Sequence, residues 1–207
     1  MNQSLRRPRP TPTTTGLLNT IQWYIQRVLF VFIVAFSFAI ICFVLTRPDM
    51  RSLASPAAML AMTVLAPLLA SMRLTNNLRP IDVLSCLAVI LLSAIVIALY
   101  FAPYADVAYF PALTFATIIN SAIATSWVIA DLTRARTTIE TMCEGLKVSG
   151  RALIVLACLP LAAHGGIPSA HETYGAYLAY CYLSMLAAET LAWAISRASA
   201  RFTTTRS

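Results

Sequence analysis

Residues 131–151 read DLTRARTTIETMCEGLKVSGR, the only long polar segment between the first apolar run of the chain and its C-terminus. On either side the sequence is apolar in runs of about twenty residues, the length a helix needs to cross roughly 30 Å of hydrocarbon. Four runs precede the segment, at 24–46, 53–72, 81–102 and 107–130, and two follow, at 148–167 and 174–196. The expected fold is all-α, a polytopic membrane bundle of six transmembrane helices. Composition agrees, with 59% hydrophobic and only 11% charged residues, against about 25% charged in a soluble domain.

The fifth run is the weakest. Arg151 lies near its start, Pro160 within it and Gly165-Gly166 near its end, so a re-entrant segment is the alternative. The basic residues choose between the two. With six spans and a cytoplasmic N-terminus, Arg6, Arg7, Arg9, Arg27, Arg73, Arg79, Arg134, Arg136, Lys147, Arg151, Arg197, Arg201 and Arg206 lie inside. Only Arg47 and Arg51 then lie outside. That is the positive-inside pattern, and a re-entrant fifth segment would weaken it by moving the last three arginines out. Both termini are therefore expected in the cytoplasm.

Residues 1–20 are basic and rich in Pro and Thr, with prolines at 8, 10 and 12. Proline removes helical hydrogen bonds, so a disordered tail is expected there, and a second basic tail at 198–207. The apolar run 28–45 is longer than a signal-peptide core and no A-x-A site follows it, which makes it a retained span. Fourteen of the fifteen basic residues are Arg, which points to a GC-rich bacterial genome and hence to the bacterial inner membrane.

The net charge of +7 is spread over the ends of the apolar runs, without the interleaved aromatics of a nucleic-acid surface, so no nucleic-acid partner is expected. Five cysteines, an odd number with no C-x-x-C, predict neither a disulfide framework nor a redox site. Four read as buried small hydrophobes, and Cys143 stands apart in the polar segment.

Within that segment Leu132, Ala135, Ile139, Met142 and Leu146 recur at three- and four-residue steps, the spacing of one helix face. Arg134, Arg136, Glu140, Glu144 and Lys147 fall elsewhere on the same helix. A cytoplasmic amphipathic helix at 132–147 is predicted, either lying on the inner membrane face or docking a cytoplasmic protein through those five charged residues. Glu189 is the one acid well inside a span. The fourth span carries Thr114, Thr117, Ser121 and Thr125 on one side, with Asn120 beside them. Ser121 and Thr125 fall at the depth of Glu189, which suggests a Glu189–Asn120/Ser121 pair. Ionisable groups at such depth are functional candidates, so Glu189, Asn120, Ser121, Thr117 and Thr125 read as a transport path or as interhelical glue.

Asp82 reads as the cap of the third span. His164, His171 and Glu172 sit in the last external loop, too few and too loosely held for a metal site. There is no G-x-S-x-G, no H-E-x-x-H and no phosphate-binding glycine loop. No catalytic residue, metal or cofactor is expected, and the protein is read as a non-enzyme.

Glu144-Gly145-Leu146, followed by Gly150 and then Leu159-Pro160, is similar to the loop by which membrane subunits of ABC importers dock on their ATPase. That loop runs E-A-A, three residues, G, and further on I-x-L-P. The similarity covers fewer than twenty residues, lacks both alanines and is three residues shorter between Gly150 and Pro160. It implies a docking role for the polar segment, not family membership. The function expected is a non-catalytic component of a larger envelope assembly of secretion, conjugation or immunity type. The alternative is a small-solute transporter or permease subunit. The partners expected are the bilayer and unidentified membrane or cytoplasmic proteins.

Overall fold

A computed structural model of the chain describes residues 14–76, 80–101 and 105–204. Six helices follow one another: α1 (Thr14–Thr46), α2 (Ala54–Asn76), α3 (Pro80–Tyr100), α4 (Ala105–Leu132), α5 (Thr138–Ala163) and α6 (Pro168–Thr204). A short 3-10 helix, Pro48–Leu53, joins α1 to α2, and no strand occurs among the described residues. All six helices are long and apolar enough to cross a membrane, as a multi-pass membrane protein requires. Successive helices are antiparallel. The end where α1 begins and α6 finishes is called basal below, and the other end distal.

α2 and α4 lie inside the bundle, while α1 and α3 flank it and leave much of their surface uncovered. Val28, Phe32 and Phe36 on α1 and Ile81, Leu84 and Leu91 on α3 are exposed. Uncovered apolar faces of this extent are tolerated in hydrocarbon, where every helical backbone group is already bonded internally. The core gathers Ile41, Met59, Leu113, Ile154, Leu161 and Tyr182 from five of the helices. α5 and α6 form the most extensively packed pair.

Three expectations need correction. Residues 132–147 do not form a helix of their own. α4 ends at Leu132, the chain turns through 133–137, and α5 begins at Thr138 and runs unbroken for 26 residues. The break falls there because Thr137 and Glu140 form a capping box, each closing on the other's backbone N–H, which satisfies donors orphaned at a helix start. Residues 138–151 of the polar segment are thus the first turns of the fifth helix, which is continuous and long and apolar enough to span a membrane. At the N-terminus, α1 starts at Thr14, two residues past Pro12, so the end of the expected tail is helical; residues 1–13 lie outside the described chain. α6 likewise continues through the expected second tail as far as Thr204.

The α5–α6 turn depends on two glycines. Gly165 and Gly166 have φ of 66° and 68°, a left-handed conformation that glycine adopts without a Cβ penalty. Their N–H groups return to Ala162 and Leu161, at 2.9 and 2.8 Å. A Cβ on Gly166 would stand 2.8 Å from the Pro111 Cα of α4, whereas one on Gly165 would meet nothing within 4 Å.

Candidate functional site

Glu189 closes on Arg151. The arginine Nε donates to Glu189 Oε1 at 2.6 Å, and Nη1 donates to the Ala124 carbonyl at 2.7 Å. Three helices, α4, α5 and α6, are therefore tied at one guanidinium. Side-chain exposure is only 8% for Arg151 and 16% for Glu189, so little water competes with the bond. Gly150 makes the approach feasible. A Cβ there would sit 3.1 Å from Ala188 Cβ and 3.2 Å from Met185 Cα, so any larger residue would hold α6 away. Beside the pair lies a cavity of about 10 Å³, lined by Phe30, Val34, Met62, Leu69, Met185 and Thr190 among others. That is room for about one water.

The suggested Glu189–Asn120/Ser121 pair does not form. Asn120 is fully buried and donates from Nδ2 to Ser93 Oγ on α3 at 3.1 Å. Thr117 and Thr125 turn back on their own helix, donating to the Leu113 and Ser121 carbonyls at 2.7 Å. Ser121 is also fully buried, and its hydroxyl has no hydrogen-bond partner. The polar face of α4 thus bonds its own backbone, α3 and, through Thr114, α6, and none of its side chains bonds the carboxylate of Glu189. Sequence reasoning set Arg151 aside as a flanking charge. Its signal was a permanent charge inside the fifth apolar run, a position that calls for a partner.

Two further polar nodes sit at the ends of the bundle. At the basal end Arg73 of α2 donates from Nε to Asp82 of α3 at 3.2 Å and from Nη1 and Nη2 to Asp131 of α4 at 2.9 and 3.4 Å. Its guanidinium lies 5.7 Å from the Trp127 ring centroid, within cation–π range, and Trp127 Nε1 donates to Ser85 at 3.0 Å. Asp82, the third residue of α3, is therefore an ion-pair partner of Arg73.

At the distal end His171 lies inside the first turn of α6 and is 1% exposed, contrary to its reading as a loop histidine. Ser55 Oγ is 2.7 Å from Nδ1, and Thr114 Oγ1 is 3.2 Å from Nε2. The Thr114 hydroxyl already donates to the Phe110 carbonyl at 2.9 Å, so it accepts from Nε2–H. Nδ1 is then free to accept from Ser55. This neutral tautomer satisfies both ring nitrogens. His164 stacks instead on Tyr174, with ring centroids 5.9 Å apart.

The expected docking residues divide. Glu140 is spent on the capping box, accepting from the Arg136 and Thr137 N–H groups at 2.8 and 3.2 Å. Glu144 takes Lys147 Nζ within the same helix at 2.6 Å. Arg134 and Arg136 are exposed, the former 4.0 Å from Asp131. Of the apolar stripe, Ile139 and Met142 face outward. Cys143 is the buried residue of that turn, with its thiol 3.4 Å from the Ala192 carbonyl. Glu144, Gly150, Leu159 and Pro160, which carry the likeness to the importer loop, all lie on α5 and form no loop.

Among the described residues no group of three or more His, Cys, Asp or Glu side chains could hold a metal ion. No known family model, curated protein or solved structure matches the chain.

Proposed function

We propose that the chain is a non-catalytic, multi-pass protein of the bacterial inner membrane, with both termini cytoplasmic, that serves as a membrane component of a larger envelope assembly of secretion, conjugation or immunity type. The observation that carries this reading is the closure of Glu189 on Arg151 and the Ala124 carbonyl. Thr117 and Thr125 are likewise spent on their own helix, and Asn120 Nδ2 on Ser93 of α3. Polar groups used in this way hold helices together, and the lightly covered faces of α1 and α3 offer lipid or a neighbouring membrane protein a broad apolar contact. The arginines at the basal end support the orientation.

The alternative is a small-solute transporter or permease subunit, favoured by one feature: the cavity beside the pair is bordered by both Arg151 and Glu189. The two readings part on Glu189→Gln. The assembly reading expects the proteins that co-purify with the chain in mild detergent to be lost or reduced, with no solute flux affected. Loss of a flux while every co-purifying protein is retained would replace it with the transport reading.

A further inference from the structure

We infer that α5 spans the membrane only through its pairing with α6, the Arg151–Glu189 ion pair acting as the latch of a conditionally inserted helix. The inference rests on the membrane orientation proposed above. From Ala152 to Ala163, α5 offers 12 residues free of charge. That is about 18 Å of helix at about 1.5 Å per residue, against roughly 30 Å of hydrocarbon. The remainder of the helix carries Glu140, Glu144, Lys147 and Arg151.

Three of these charges are settled within or beside α5 itself. Glu140 sits in the capping box at the helix start, and Lys147 is closed on Glu144. Arg151 is different. It is the fourteenth of 26 residues, at the middle of the helix, and its counter-charge comes from α6. An arginine inside a span without its counter-charge opposes insertion. The same holds for Glu189 without Arg151, since each leaves the other as an uncompensated charge.

The geometry is built for joint arrival. Gly165 and Gly166 reverse the chain in a tight turn. Gly150, the residue before Arg151, lets α6 approach until a Cβ would be crowded. The pair therefore closes as soon as the hairpin does. Once Arg151 is paired, the stretch of α5 free of uncompensated charge runs back at least to Val148, 16 residues or about 24 Å at about 1.5 Å per residue.

The test places a cysteine at the turn, Ile167→Cys, where the side chain is half-exposed. Labelling with a membrane-impermeant maleimide is compared in intact cells and in inverted membrane vesicles, with the parent chain as background. In the otherwise unaltered chain the thiol is expected to label from outside the cell. Adding Glu189→Leu is expected to lower that labelling at least about fivefold, and adding Arg151→Leu as well is expected to restore it. Outside labelling that stays unchanged in Glu189→Leu, whatever its thermal stability, overturns the inference, because a merely stabilising bond would not move the turn across the membrane. Failure of the double variant to recover overturns it too. If the Glu189→Leu chain is degraded, recovery of an outside-labelled chain in the double variant supports the latch. Should the parent turn label only in inverted vesicles, the proposed orientation is wrong, and the same comparison is read from that side.

Discussion

Arg73 and Arg151 do the same work at two depths, each holding together three consecutive helices. Planar guanidinium groups suit this because they present several donors in a fixed fork. The two sites should not respond alike to truncation. Arg73 lies at the basal end, and Asp131 is 39% exposed, so water takes over part of what the arginine supplied. Arg73→Ala is expected to destabilise the bundle by about 1–3 kcal/mol, read from unfolding in detergent micelles by a graded denaturant. Arg73→Lys should recover only part of that loss, since an ammonium cannot reproduce the two-pronged contact with Asp131. Full recovery by lysine would show that charge alone, and not geometry, holds the basal end. At the distal end His171 performs the bridging without charge, through Ser55 and Thr114. A neutral ring is the economical choice where no carboxylate is hydrogen-bonded to it.

At the scale of elements, α5 and its two ends show how local chemistry sets the path of the chain. The helix begins where Thr137 and Glu140 can form a capping box. Thr137→Ala is expected to cost about 1 kcal/mol, seen as faster hydrogen exchange over the first turn of α5 with the rest of the helix unchanged. It ends where two glycines take left-handed backbone, but their roles differ. Gly165 needs only the backbone conformation, so Gly165→Ala should cost about 1 kcal/mol. Gly166 also needs the missing Cβ, which would stand 2.8 Å from Pro111 Cα. Gly166→Ala should therefore cost more, by about 1–3 kcal/mol of overpacking, and shift α4 against the turn. Equal losses in the two variants, measured by the same unfolding assay, would contradict the close approach to α4.

For the whole molecule, the distinction that matters is between faces turned into the bundle and faces turned to the surroundings. In hydrocarbon the gain from packing two helices is contact between side chains, not removal of apolar surface from water. Met59 of α2 is fully buried and Phe36 of α1 is 58% exposed. Met59→Ala leaves a void in the main core cluster and is expected to cost about 2–5 kcal/mol. Phe36→Ala should stay within about 0.5 kcal/mol, both measured by unfolding in one detergent. A large loss at Phe36 would instead mark that face of α1 as covered by another protein, the outcome the assembly reading anticipates in native membranes.

The sequence by itself determined the class and the count of helices. Six runs of about twenty apolar residues leave few other arrangements, and their ends survive within a few residues except at the tails, at 131–151 and at the α5–α6 turn, where α6 starts at Pro168 and not at 174. There the error was one of local chemistry. The stripe at 132–147 was read by periodicity, while the capping signature of a threonine followed three residues later by glutamate, at Thr137 and Glu140, marked the true helix start and was legible. The depth of Glu189 was legible too, but its partner was not. Arg151 lies 38 residues away in sequence, and Arg73 and Asp131 lie 58 apart. Which charge meets which is decided by helix rotation and by how closely two backbones approach. Those quantities depend on Gly150 against Met185 and Ala188, and on Gly166 against Pro111. Hydropathy is a sum over one stretch of chain and can be read from it. Pairing is a property of two surfaces, and only the tertiary structure brings them together.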